Sequence, residues 1–368
     1  MTKKLIAVVG ATGNQGGSVA RRFLAAGYRV RALTRKVTSS SAVALAALGP
    51  DVELVSADLE DVASLKDAFR GANAIFSVTN YWEPFARADC REEAREQRVS
   101  IRRFAYDVEY RHGRNIADAA ATVVESLDPN GFLVSTLSHA GKCSRGRFKD
   151  LFHFDAKADV FPDYVNANYP TLAAKMSCIH TGYFFTSYRL LPDSYFQKVR
   201  LHFYLVKLGL EMLTLRKNLD GTFTMAFTTS PDKPVPHLDP VGDMGNFTYA
   251  VSQMPPGKAY MAEGTTCTWP QFLETWARVT GAKANYKQVL PPEMINVTVD
   301  YEMGVEVAYM YSYSSNPGYD GGMDLLTAAD LRKVMSNSNQ RRRPEEPHLV
   351  TPGNEIDADR RRLVSIVL

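Results

Sequence analysis

Apolar residues run unbroken through 5–9, "LIAVV", as expected of a strand covered on both faces. From residue 16 the period becomes helical, with Val19, Phe23 and Leu24 on one side until Gly27 stops the run. Alternation over 29–35, "RVRALTR", predicts a second strand, and 52–61 a third. Residues 62–69 follow as a helix with Asp61 at its N-cap. A fourth strand is expected at 73–80, an alanine-rich helix at 113–127 and a fifth strand at 131–137. Strands and helices alternating at this interval require parallel βαβ units with right-handed crossovers. The fold class is therefore α/β, a doubly wound parallel Rossmann sheet.

Past residue 140 the rhythm is irregular. Residues 177–185 predict a sixth strand, 219–225 a hairpin, 239–253 a helix, 258–264 a strand and 268–281 an amphipathic helix. The expected division is a Rossmann domain of 1–186 plus about 236–264. A smaller mixed C-terminal substrate or partner domain would take about 187–235 plus 265–368. The charged segment 86–113 reads as a helical insertion with a solvated face. The Ser-, Asn-, Pro-, Gly- and Arg-rich end, from about 312, reads as a partly mobile tail.

Composition narrows the function classes. The chain has 368 residues, 43 basic against 40 acidic, a balance that does not by itself suggest a nucleic-acid surface, and no nucleic-acid partner is expected. The "RRR" runs at 341–343 and 360–362 read as solvated tail, or else as a localisation or docking signal. Cys90, Cys143, Cys178 and Cys267 form no CxxC pair, which fits reduced thiols and no metal site. The first apolar run is too short for a signal segment, and none reaches a membrane span. The expected location is cytoplasmic, with the nucleus as a further option. HExxH, GxSxG and P-loop motifs are absent, which argues against metal-assisted, serine and phosphoryl chemistry.

What remains is the turn "GATGNQGG". Gly10, Gly13 and Gly16 lie between a buried strand and a helix, where a dinucleotide site needs a tight turn, close backbone approach to pyrophosphate and close helix packing. The helix N-terminus then offers its N–H groups to phosphate. After the second strand stand Arg35 and Lys36, with no carboxylate to hold a ribose 2′-hydroxyl. Two cations there suit a 2′-phosphate, so the cofactor expected is NADP(H) rather than NAD(H). Asp58, ending the third strand, is placed near the adenine, or else serves as a loop or cap residue.

The segments "VVGATGNQGGSV", "VRALTR", "SADLEDVASLKDAFRGANAIFSVTNYWE", "GRNIADAA" and "HFDAKADV" together resemble the NmrA-like family of atypical short-chain dehydrogenase/reductases, over roughly 5–310. The resemblance implies a Rossmann domain with a smaller C-terminal domain. It also implies either an NADP-linked reductase of quinones or secondary-metabolite intermediates, or a redox sensor that binds a regulatory protein. Here the glycine motif is intact, which favours the enzyme. Thr12, Asn14 and Gln15 in the turn, and Thr79 and Asn80 in "TNYWE", join the expected cofactor contacts.

Such reductases pair a tyrosine with a lysine four residues later. In "FHFDAK" the lysine is Lys157, but His153 stands in the tyrosine's place. A helix through both would set imidazole and ammonium side by side. Lys157 would hold the ribose hydroxyls and, as a neighbouring cation, favour neutral His153. His153 is a candidate proton donor or else a packing residue. Tyr183, Tyr188 and Tyr81 are alternative donors. Thr136 or Ser138, with Ser135 beside them at the end of the fifth strand, would polarise the substrate or else play a structural part. The aromatics Tyr183, Phe184, Phe185, Tyr188, Phe203 and Tyr204 fit a planar or polyketide-like small molecule, or equally a core. Two readings stand: an NADP(H)-dependent oxidoreductase of a small carbonyl, quinone or enone, or a non-catalytic NADP(H)-sensing regulator that binds a protein partner.

Overall fold

Seven parallel strands carry the fold in a computed structural model that describes residues 2–189, 215–217, 220–296, 298 and 300–332. They are β1 (Leu5–Val8), β2 (Arg29–Thr34), β3 (Val52–Ser56), β4 (Ala74–Ser77), β5 (Phe132–Thr136), β6 (Met176–Thr181) and a last strand, Ala259–Ala262. The spatial order is Ala259–Ala262, β6, β5, β4, β1, β2, β3. Strand order therefore reverses between β1 and β4, where open α/β sheets place their ligands. All residues of β1, β4, β5 and β6 are buried, and the first three of these strands accordingly open as apolar runs rather than alternating ones.

Helices cover both faces. α1 (Asn14–Ala25) and the helix Met244–Ser252 pack on one face, and Gly245 allows the crossing: a Cβ there would stand 2.2 Å from the Ser18 carbonyl oxygen. α3 (Val62–Phe69) follows α2 (Ser40–Ala46) in the chain and lies on the other face. The expected cap of α3 is present, Asp61 Oδ1 accepting from the N–H of Ala63 (2.9 Å) and Ser64 (3.3 Å).

The segment read as a solvated insertion is instead half core. α4 (Trp82–Ala86) and α5 (Ala88–Glu96) lead into α6, which runs Ile101–Ala121, beginning well before the expected 113. Ser100 Oγ caps it by accepting from Arg103 N–H (3.1 Å). Gly113 does not break it because Val160 packs there; a Cβ would lie 3.0 Å from Val160 Cγ2. Ile101, Phe104, Ala105 and Val108 are buried with Tyr81 and Phe85.

α7 (Ala140–Cys143) and α8 (Phe152–Ala158) follow β5. Two three-stranded sheets complete the described structure. One joins Thr265–Cys267, Val235–Leu238 and Tyr183–Phe184; the other joins Ala284–Gln288, Phe223–Phe227 and Leu215–Lys217. The last two strands named are antiparallel, as the hairpin required. An aromatic core of Phe227, Trp269, Trp276, Tyr311 and Tyr313 ties these sheets to the helix Tyr301–Tyr313. The presumed mobile end is folded as far as 332: Leu326 bridges to Tyr260 beside the large sheet and Leu331 is buried. Both "RRR" runs, Phe203 and Tyr204 lie outside the described residues, as does the side chain of Tyr188. Among the described residues no helix is long and apolar enough to cross a membrane.

Candidate active site

A cleft of about 1370 Å³ opens over the carboxyl ends of β1, β2, β4, β5 and β6. At one end is the glycine turn. Gly10 has φ +63°, and a Cβ on Gly16 would sit 2.2 Å from the Gly10 carbonyl oxygen, so backbone leaves no room for a side chain there. α1 starts at Asn14 with Gly13 as N-cap, no side chain closing its first turn and no acidic residue within it. Its first N–H groups and positive dipole end are thus open to an anion. Gly10, Thr12, Gly13, Asn14, Gln15 and Gly16 all line the cleft. These features fit a pyrophosphate closely: bare backbone donors, no competing carboxylate, and a glycine that nothing larger could replace.

Arg35 and Lys36 line the cleft where β2 ends. Arg35 is largely exposed and its Nη1 donates to Glu83 Oε1 (3.0 Å) on α4, an ion pair the sequence did not reveal. Asp58 and Asn80 line the same stretch, Asp58 Oδ1 accepting from Glu60 N–H (3.0 Å) and Asn80 Oδ1 from Trp82 N–H (3.1 Å).

At the other end α8 presents His153 and Lys157 on successive turns, both lining the cleft. A helix does run through them, but their electrostatics differ from the expected pairing of imidazole with ammonium. Lys157 Nζ donates to Glu109 Oε1 on α6, which also accepts from Thr79 Oγ1 (2.7 Å). Glu109 is fully buried, with Oε2 unpartnered among the described residues. His153 faces a second buried carboxylate, Glu306, from the helix Tyr301–Tyr313. Its Oε1 accepts the His153 backbone N–H (2.8 Å) and lies 2.6 Å from ring Nδ1. Glu306 Oε2 accepts from Arg102 Nε (2.7 Å) on α6. Burial alone would raise the Glu306 pKa, but the His153 hydrogen bond and the charges of His153 and Arg102 bring it below its ordinary value. The imidazole is enclosed by the rings of Trp82 (5.1 Å), Tyr81 (5.8 Å) and Phe154 (4.8 Å).

The other expected donors fall differently. Tyr183 lines the cleft and its hydroxyl is 2.9 Å from that of Tyr311. Tyr81 donates to the Arg102 carbonyl (3.1 Å), and burial with the Glu306 charge pushes its pKa far up. Thr136 and Ser138 are engaged in structural hydrogen bonds. Thr136 Oγ1 donates to the Phe161 carbonyl (2.9 Å) and Ser138 Oγ is 2.8 Å from Tyr313 Oη, both buried away from the cleft. Ser135 does line it, donating to Gln15 Oε1 (2.8 Å). Tyr311 and Tyr319, beside Tyr183, with Met294, Met303 and Met310 elsewhere in the cleft, supply its apolar lining.

Arg102, Glu109 and Glu306 escaped sequence reasoning. Arg102 and Glu109 stand two helical turns apart within an apolar stripe, and Glu306 is the lone charge in "GVEVAYMY". An ionic residue inside an apolar face is the signal each carried.

The chain belongs to the NmrA-like family, whose model matches residues 2–342. A relative from Penicillium ochrochloron, the NmrA-like family domain-containing oxidoreductase ptmS, is 26% identical over 305 residues, 79% of this chain and 77% of that protein. The corresponding oxidoreductase cpsB of Aspergillus campestris is 45% identical over 89 residues, 24% of this chain and about a quarter (26%) of its own length. Among solved structures, Nmra, a negative transcriptional regulator in complex with NAD, aligns with TM-score 0.63 at 20% identity, covering 91% of this chain and 92% of that one. The NADPH-dependent quinone oxidoreductase QOR2 of Escherichia coli, complexed with NADPH, aligns with TM-score 0.57 at 15% identity, covering 98% and 99%. At these identities the structural likeness is one of fold.

Proposed function

We propose that the chain is an NADP(H)-dependent oxidoreductase that reduces a small planar carbonyl, quinone or enone, in the setting of secondary-metabolite chemistry. One observation carries the reading: a single cleft connects the open N-terminus of α1 to Lys157, His153 and an aromatic wall. The ptmS and cpsB relatives named as oxidoreductases support it.

In this reading the N–H groups of α1 bind the pyrophosphate, and Asp58 lies by the adenine. Arg35 exchanges the Glu83 carboxylate for a 2′-phosphate, with Lys36 beside it. Lys157, held by Glu109, binds the nicotinamide ribose hydroxyls, while Thr79 and Asn80 border that pocket. The cofactor, when bound, supplies a hydride. The protein's part is to orient an aromatic substrate against Tyr183 and Tyr311 and to deliver a proton from His153 Nε2 as charge develops on the substrate oxygen. With Nδ1 on Glu306, Nε2 is the nitrogen left for that role.

NADPH oxidation followed at 340 nm against quinones and aromatic ketones tests the proposal. Turnover lost in His153→Phe and Lys157→Ala is the expected result. NADPH binding without turnover of any substrate in a broad panel would replace it with the sensing reading, in which a partner protein takes the place of substrate.

A further inference from the structure

We infer that Glu306 is a positioning residue for His153: it fixes the tautomer and raises the proton affinity of the imidazole, and Arg102 tempers that effect. The inference rests on the proposed role of His153 but concerns residues from two other elements, α6 and the helix Tyr301–Tyr313.

The geometry is over-determined. One carboxylate oxygen, Glu306 Oε1, takes both the backbone N–H and the ring nitrogen of His153, at 2.8 and 2.6 Å. A fully ionised acceptor has no proton to offer, so Nδ1 must carry the hydrogen in that contact. Nε2 is then the basic nitrogen of the neutral ring and the acidic one of the charged ring. The double contact fixes the ring to its own backbone, and the packing of Trp82 and Phe154 restrains its rotation further.

The surrounding charges decide how strongly the proton is held. Glu306 has no accessible surface, and its second oxygen is bonded to Arg102 Nε at 2.7 Å. The guanidinium is only slightly exposed and also donates to the Asp150 carbonyl. An imidazolium at His153 is thus favoured by Glu306 and opposed by Arg102 through the same carboxylate. The other groups near it are Lys157 on its own helix, Glu109 and Tyr81, and Glu302 one turn before Glu306. Lys157 is neutralised by Glu109, and Tyr81 stays protonated. The Glu302 pKa is raised by burial. None of these touches the ring nitrogens, so the Arg102–Glu306–His153 line is the local control.

A pair that only packs against the ring would leave its titration unmoved, whereas one that sets its proton affinity moves it down when the anion is removed and up when the cation is removed. Full-length protein labelled with 13C at histidine Cε1 is titrated by NMR without cofactor. Glu306→Gln keeps the shape and removes the charge; His153 is expected to titrate about one unit or more lower. Arg102→Met keeps the carboxylate and removes its competing cation; His153 is expected to titrate higher. If Glu306→Gln does not fold, the upward shift in Arg102→Met and a near-normal value in Glu306→Asp decide the matter. Shifts of the same sign in both variants, or no shift, overturn the inference. With a turnover assay, kcat of Glu306→Gln falls about tenfold or more while NADPH affinity stays unchanged, and the alkaline limb of its pH profile, where the donor loses its proton, follows the NMR shift. Opposite NMR shifts with no turnover in any variant or in the parent would sustain the inference and discard the oxidoreductase reading. Turnover with an unmoved His153 titration would do the reverse.

Discussion

The two ends of the cleft are built in opposite ways. The glycine turn is made by seven consecutive residues, from Gly10 to Gly16, and offers backbone. Its donors are the N–H groups that any helix start leaves unpaired, and its shape depends on a missing Cβ. The α8 end is made by side chains from three separate stretches, with Arg102, His153 and Glu306 lying 204 residues apart at the extremes. Its polar groups are buried and mutually compensated, so each is costly to remove singly. A local backbone site survives changes around it and fails only at its glycines. A distributed ionic site fails at any member.

That contrast predicts a ranking of effects. Lys157→Ala leaves Glu109 as a buried carboxylate without its cation, and the expected loss is about 3–5 kcal/mol of stability by chemical denaturation. Adding Glu109→Gln should recover most of it; no recovery would mean that Lys157 contributes packing rather than charge. Gly16→Ala puts a Cβ against backbone, with an expected cost of about 1–3 kcal/mol and loss of measurable NADPH binding by fluorescence titration. If binding persists, the turn is not the phosphate site.

Arg35→Ala removes an exposed cation and should cost about 1.5 kcal/mol of NADPH binding, roughly tenfold in Kd, with NADH affinity unchanged. An unaltered preference would release Arg35 from that role. The smallest effect is a pH response confined to the α8 end. His139, at the start of α7, lies between Asp155 (3.0 Å) and Asp159 (3.1 Å); burial lowers its pKa, but the hydrogen bonds and charges of these carboxylates outweigh that and raise it to about 9. A pKa raised on folding stabilises fully below the unfolded value of 6.5 and is lost as pH climbs through 9. After solvent screening the expected loss is about 1 kcal/mol between those limits, absent in His139→Gln.

The same contrast explains what the sequence could tell. β1, β2, α3 and its Asp61 cap, and the glycine turn were legible because each is decided by neighbours within about ten residues. So was the helical spacing of His153 and Lys157. Their partners were not, because pairing across 48 residues (Lys157 with Glu109) or 153 residues (His153 with Glu306) leaves no periodic trace. The charged surface of α5 and early α6 concealed the buried stripe beneath, so Arg102 and Glu109 read as solvated. The choice between a polarising and a structural role for Thr136 and Ser138 stayed open in the sequence for a related reason: a strand end shows which residues alternate, not which face turns to the cleft.

A crystal structure with NADP+ bound tests the account most directly. Pyrophosphate is expected on the N–H groups at the start of α1, the 2′-phosphate on Arg35 in place of Glu83, and the nicotinamide ribose on Lys157 with its ring beside His153. A dinucleotide bound elsewhere, or one whose nicotinamide points away from α8, would contradict it.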